Sequence, residues 1–241
     1  MKDILDAHMH TIASGHAYST IREMVRAASQ KGLELVGITE HAPMMPGTCH
    51  EIYFHNFKVI QREAYEVPLL MGAELNITSY TGMVDLKDYV LAKIDYAVAS
   101  LHEPCLRPGT IDQNTAAVIG AMQHPRVKII GHPENGNYPL DYEAVAKAAK
   151  EHHVLLELNN SSYSPLSNRR NSRENAQIML KYCRKYGVSV IMDSDAHIDL
   201  DVGNHTLARE VVAAADFLWQ DTSDAGLDGN RQCRISRAAA Q

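Results

Sequence analysis

The chain has 241 residues, 45% of them hydrophobic and 22% charged, enough for one large α/β domain with a sizeable core and with no need of a second. A formal net charge of −6 argues against a nucleic-acid binder that works through a broad basic face. The amino terminus lacks a signal-peptide core, no apolar run nears the roughly 20 residues of a spanning helix, and Cys49, Cys105, Cys183 and Cys233 are scattered without a C-x-x-C pair, so a cytoplasmic protein with reduced thiols and no membrane partner is expected.

Seven β-rich apolar runs are predicted, at 4–7, 35–39, 69–73, 96–101, 128–131, 154–158 and 188–192. Several are apolar on consecutive residues, the pattern of parallel strands buried on both faces. The first helix carries a stripe of Ile21, Met24, Val25 and Ala28, with Thr20 and Glu23 as a capping box and Gly32 as its stop. Further helices are expected from Asp112 to before Pro125, over 141–152 behind the cap Asp141, from Ser172 to Gly187, and over 204–215. In the helix from Ser172, Ile178, Tyr182 and Tyr186 are expected to face inward. Strand and helix repeating at about 30 residues per unit implies right-handed parallel crossovers, which either open into a doubly wound sheet or close into a barrel. The dinucleotide-binding version loses its main support, because no G-x-G-x-x-G follows the first strand.

The unusual number is thirteen histidines. His8 and His10 follow the first run, His41 the second, Glu74 the third, His102 the fourth, His132 the fifth, and Asp195 and His197 the seventh; the sixth ends in the polar run Asn159-Asn160-Ser161-Ser162. In a parallel barrel the carboxyl ends of all strands share one face, which holds the active site. His8-x-His10 and Asp195-x-His197 each direct two side chains to the same side of an extended chain, and His16 can reach back from the following loop. An isolated H-x-H pair or a lone histidine is weak evidence. Ligand-type residues after nearly every strand are much harder to explain as packing. Imidazole and carboxylate without thiolate suit zinc, manganese or iron and not a zinc finger. His124, His152, His153 and His205 read as structural, and His50 and His55 as residues that line an approach to the site.

The stretches Asp6-Ala7-His8-Met9-His10-Thr11, His16-Ala17-Tyr18-Ser19, Thr39-Glu40-His41, Gly72-Ala73-Glu74, Leu101-His102-Glu103-Pro104, Gly131-His132-Pro133, Glu157 to Ser162 and Asp193-Ser194-Asp195-Ala196-His197 occur in this order. Together they resemble the PHP (polymerase and histidinol phosphatase) domain family, most of all its YcdX-like bacterial phosphatases. The resemblance implies a single domain over 1–220, a distorted (β/α)7 TIM-like barrel, with three divalent metals, zinc first and manganese or iron as alternatives. It assigns His8, His10 and Asp195 to one metal, His16, His41 and His197 to a second, and His102 and His132 to a third, with Glu74 bridging the third to the first. Glu40 stands where the family usually has aspartate, Asp193 where it has a small residue, and the tail 221–241 lacks the closing apolar helix.

Clustered divalent ions lower the pKa of bound water and neutralise phosphoryl charge. The expected activity is hydrolysis of small phosphomonoesters by a metal-activated hydroxide, with no G-x-S-x-G nucleophile and no protein general acid assigned. Arg169 and Arg170, near Arg173, are candidates to hold the substrate phosphate. The rival readings are a histidinol-phosphate phosphatase, a phosphodiesterase, or a non-catalytic metal-binding PHP domain. The expected partner is a small phosphorylated substrate, and homo-oligomerisation is left open.

Overall fold

The apolar runs become strands because each is shielded on both sides, by helices outside and by facing side chains within. The computed structural model describes residues 4–215. Its strands are β1 (Leu5–Asp6), β2 (Leu35–His41), β3 (Leu69–Asn76), β4 (Ala97–Ser100), β5 (Val127–Ile130), β6 (Leu155–Asn159) and β7 (Val190–Asp193). They pair in chain order, all parallel, as one seven-stranded sheet curled into a nearly closed barrel. The helices are α1 (Ile21–Lys31), α2 (Glu51–His55), α3 (Asp88–Leu91), α4 (Ile111–Met122), α5 (Tyr142–His152), α6 (Ser172–Tyr186) and α7 (Thr206–Ala214).

Local signals set the longer helices. Thr20 and Glu23 form both halves of the capping box of α1, and Gly32 ends it in the left-handed region at φ 73°. Thr110 and Gln113 cap α4 in the same way, and the Asp141 carboxylate accepts from Glu143 N and Ala144 N at the start of α5. The two crossovers for which no helix is predicted hold the short α2 and α3, with two 3-10 turns, Phe57–Val59 and Arg62–Ala64, after α2. One expectation fails in α6. Ile178 is 46% exposed, whereas Tyr182 and Tyr186 are partly buried and pack against the core, whose fully buried members on this helix are Ala176, Met179, Leu180 and Cys183. That i, i+3, i+4, i+7 stripe contains the small residues Ala176 and Cys183, which carry little weight in a hydrophobicity reading, so the larger Ile178 misleads.

Two apolar layers lie on either side of the strands. The outer one joins residues such as Ile38, Met71, Ala99, Leu156 and Val190 to the helices. The inner one, Leu5, Ala7, Leu70, Tyr96, Val98, Ile129 and Ile191, contains no helix residue and fills the barrel. Tyr96 lies in this filling and donates its hydroxyl to the Ala7 carbonyl. Gly37 makes the room: a Cβ there would come within 1.9 Å of the Tyr96 hydroxyl oxygen.

The ring closes differently at its ends. β1 and β7 share no ladder; a single parallel bridge joins Met9 to Ala196. Carboxylates take over part of the backbone pairing. Asp193 Oδ1 accepts from Ala7 N at 2.7 Å, and Asp6 accepts from Ser194 N at 3.1 Å, from the Ser194 hydroxyl, and from Gly203 N at 2.7 Å. Cys49, Cys105 and Cys183 are free thiols. Among the described residues no helix is long and apolar enough to cross a membrane. The expectation for a tail at 221–241 falls outside the described residues.

Candidate metal centre

The strand ends bring the expected side chains to one rim. His41 and Glu74 belong to β2 and β3 themselves and are register partners. His8 and His10 follow β1, His102 follows β4, His132 follows β5, and Asp195 and His197 follow β7. Backbone bonds from Asp195 N to His8 O (2.9 Å), His10 N to Ala196 O (2.8 Å) and Tyr18 N to His197 O (2.8 Å) tie the two ends of the chain together at this point. His8, His10, His41, Glu74, His132 and Asp195 are buried, His102 and His197 partly so, and His16 is exposed at the outer edge.

Glu74 is the centre of the group. Its Oε1 lies 3.4 Å from His8 Nε2 and 3.2 Å from both His102 Nε2 and His132 Nε2. Its Oε2 lies 2.7 Å from His41 Nδ1 and 3.5 Å from His10 Nε2. Asp195 Oδ1 lies 3.2 Å from His10 Nε2 and 3.7 Å from His8 Nε2. The His16 ring stacks on His41 and tilts against His197, both at 4.9 Å between centroids.

The neighbours of these rings fix which nitrogen faces inward. His8 Nδ1 donates to Glu157 Oε1 at 2.7 Å, and His197 Nδ1 to the carbonyl of Asp195 at 2.9 Å. His102 Nδ1 donates to Asn76 Oδ1 at 2.7 Å, because the Asn76 amide nitrogen is already given to Ala42 O and Asp85 Oδ2. Each Nδ1 is thus a donor, which leaves Nε2 as the lone-pair side. Glu157 and Asn159 of β6 support the arrangement from behind. Glu157 Oε2 accepts from His132 N and from Asn159 Nδ2, and Asn159 Nδ2 also lies 3.1 Å from Asp195 Oδ2. His132 and Asp195 sit at φ 34° and 54°, backbone positions that non-glycine residues hold at a cost of about 1–3 kcal/mol each and that cluster at functional sites.

Electrostatics favours ligand-ready forms. Burial pushes the Glu74 carboxyl up, but His8, His41 and His102 outweigh it and hold the group well below the ordinary range. Asp195 is likewise held low against its burial, by His8, His10 and Arg169. Burial, then the nearby His41 and His197, keeps His10 neutral, and burial with Arg169 lowers His132 to about 3. His8 differs: burial opposes its charge, but Glu157, Glu74 and Asp195 together raise it well above the ordinary value. A cation would displace that proton.

The donor set fits a divalent cation. His8 Nε2, His10 Nε2, His41 Nδ1 and Glu74 Oε2 are buried atoms that make no well-formed hydrogen bond, the 2.7 Å approach of His41 Nδ1 to Glu74 Oε2 included, and all four face the same space. So many bare polar atoms in one buried place call for a counter-group. Ligand atoms within 4.8 Å of one another are offered by His10, His41 and His197, by His8, His10 and Glu74, and by His41, Glu74 and His102.

The two arginines separate. The Arg169 guanidinium reaches into the centre and donates to Asn159 Oδ1 at 2.9 Å, Ser162 Oγ at 3.0 Å and Asp195 Oδ2 at 3.1 Å. Arg170 is exposed, and Arg173 pairs with Glu210 and lies over the Tyr163 ring. His50 and His55 are exposed, with His55 against Tyr89. Glu157, Asn159, Asn76 and Ser14 are parts of the site that ligand counting overlooks. For Glu157 the signal is present: a carboxylate in the middle of the otherwise apolar Leu155-Leu156-Glu157-Leu158 has to meet a buried donor.

A parallel barrel with histidines and carboxylates at one rim defines a class of metal-site proteins, and comparison narrows it. The PHP domain pattern matches residues 6–216, and the chain belongs to the PHP domain family. It is 45% identical over 217 residues to a probable phosphatase of Clostridium novyi, covering 90% of this chain and 88% of that one. It is 45% identical over 213 residues to a probable phosphatase of Caldicellulosiruptor saccharolyticus, covering 88% of each. Among solved structures it resembles the histidinol phosphate phosphatase of Lactococcus lactis complexed with zinc, L-histidinol and phosphate. There the TM-score is 0.61 at 18% identity, with 90% of this chain and 95% of that one covered, a likeness of fold.

Proposed function

We propose that this protein is a metal-dependent phosphatase that hydrolyses small phosphomonoesters, with three divalent ions, zinc first among them, at the barrel rim. The observation that carries the reading is the convergence of bare, buried ligand atoms around Glu74. The names of the Clostridium and Caldicellulosiruptor relatives, probable phosphatases over nearly the whole chain, point the same way.

Three trios would hold the ions. His102 Nε2, His132 Nε2 and Glu74 Oε1 stand 3.2 Å from one another, which supports a common ion between them. His8 and His10 with Asp195 form a second trio, and His16, His41 and His197 a third at the open edge. Glu74, with one oxygen toward His102 and His132 and the other toward His10, is suited to bridge. Bound divalent ions supply an activated water near neutral pH and neutralise charge on phosphoryl oxygens.

The protein's own groups do the rest. Asn159 and Arg169 hold Asp195 from two directions, and Glu157 fixes His8 and the backbone of His132. Arg169 has donors beyond those it gives to Asn159, Ser162 and Asp195, and its planar fork suits a phosphoryl group at this edge. Arg170, exposed on the same loop, is the second candidate to bind the phosphate.

The test is metal content by elemental mass spectrometry on desalted, untagged protein beside a His41→Ala variant, followed by hydrolysis of p-nitrophenyl phosphate with and without a chelator. Two to three equivalents, a clear loss in the variant and chelator-sensitive turnover support the reading. Protein that takes up no zinc, manganese or iron rules it out. Faster turnover of bis(p-nitrophenyl) phosphate than of the monoester would favour a diesterase.

A further inference from the structure

Glu40 is a fully buried carboxylate whose neighbours on β2, Thr39 and His41, serve the other side of the strand. It accepts from Thr11 N at 3.0 Å, from the Thr11 hydroxyl, and from Ser14 Oγ at 2.6 Å, with the Tyr53 hydroxyl at 3.4 Å. Ser14, equally buried, also accepts from His41 N at 3.0 Å and lies 3.2 Å from His10 Nδ1. A serine hydroxyl has one proton and two lone pairs. Its proton is given to Glu40 and one lone pair to His41 N. The remaining lone pair faces His10 Nδ1, so that nitrogen has to be the donor. The proton of the ring is therefore on Nδ1, and Nε2 keeps its lone pair toward Asp195 and Glu74.

The other rings reach this state more simply. His8, His102 and His197 face acceptors that have no proton to give: a carboxylate, an amide oxygen and a carbonyl. His10 faces a hydroxyl, which by itself would donate as readily as accept and would then force the proton onto Nε2. We infer that Glu40, acting through Ser14, is a positioning residue that locks the tautomer of His10 and so keeps this ring a ligand. The same contacts hold the turn Ile12–Ser14 against β2, between His10 and the loop that carries His16. This rests on the proposed metal site and adds to it the group that sets one ligand's proton. The glutamate side chain spans from β2 to both Thr11 and Ser14.

Two measurements test the lock. In metal-free wild-type protein, proton–nitrogen NMR of the imidazoles reads which nitrogen of His10 carries the proton. Nδ1 is expected, and a proton on Nε2 overturns the inference without any variant. In the second, metal-free wild type and Ser14→Ala compete with a chromophoric chelator for zinc. The loss expected when the partner of a metal-bound histidine is removed is roughly ten- to a hundredfold in affinity, here for the ion at His10, with the tightest remaining site little changed. Superimposable titrations of the two folded proteins overturn the inference and leave the metal reading standing. A wild type that takes up no zinc overturns both. If thermal melts show that Ser14→Ala does not fold, the NMR measurement on wild type decides alone.

Discussion

Across β2 and β3 six consecutive residue pairs form an unbroken parallel ladder that ends with His41 beside Glu74. Across β7 and β1 the sheet has no ladder, and the gap is crossed by the Asp6 and Asp193 carboxylates and one backbone bridge. Both flanks deliver ligand-type side chains to the same rim. On the ladder side, backbone hydrogen bonds place them, and side-chain identity is free to serve the site. On the seam side, side chains do the work of the missing backbone pairs, so residues that touch no substrate are as constrained as those that do. A sheet can thus be left open where its ends meet, provided that buried carboxylates find backbone donors.

The largest effect is expected where the flanks join. Glu74 touches rings from both, so Glu74→Ala should weaken metal binding beyond the roughly ten- to hundredfold loss seen when an outer partner is removed. Elemental analysis and chelator competition check this. If the flanks bound their ions independently, only the uptake at His102 and His132 would change.

Next is the seam. Asp6→Ala leaves the Ser194 N–H and hydroxyl, both buried, and the partly buried Gly203 N–H without their acceptor. Since each unsatisfied buried group costs about 1–3 kcal/mol, urea unfolding should show a loss of about 3 kcal/mol or more. A loss well under 1 kcal/mol would mean that the bridge at Met9 and Ala196 closes the barrel unaided. Gly37→Ala probes the ladder side: its Cβ would land 1.9 Å from the Tyr96 hydroxyl oxygen. Overpacking of this kind costs about 1–3 kcal/mol, and it should lower the unfolding midpoint while leaving the rim's metal affinity within a few-fold.

The smallest effect lies on the outer helices, away from both flanks. Glu143, half-buried, is lowered to about 2, first by Lys185 and then by Tyr186. A depressed carboxyl contributes stability above its ordinary value of 4.5, and that contribution is lost as pH falls toward about 2. Glu143→Gln should therefore be slightly less stable than wild type near neutral pH, with the two melting curves converging in strong acid. A gap that widens as pH falls would reverse the assignment.

Much of this architecture is legible in the sequence because parallel strands buried on both faces need consecutive apolar residues, and all seven predicted runs coincide with strands. Their ends were harder. β2 and β3 run on through His41 and as far as Asn76, because ladder hydrogen bonds ignore side-chain polarity. β1 shrinks to Leu5–Asp6, since side chains replace its pairing toward β7. The candidate ligands are legible because all but His16 lie at, or just past, the carboxyl end of an apolar run. Their supports could not be read so easily, because Ser14, Asn76 and Asn159 are ordinary polar residues until the fold places them on a ring nitrogen or beside a carboxylate. On α6 only Ile178 departs from the expected inward face, for a related reason: alanine and cysteine count for little until they are seen in contact.

The side chains packed inside the barrel give the rim a closed floor. Tyr96, fitted into the space left at Gly37, and its apolar neighbours shut the passage toward the opposite face. A pocket blind at one end has a single doorway. Whatever enters from the rim must therefore leave by the way it came.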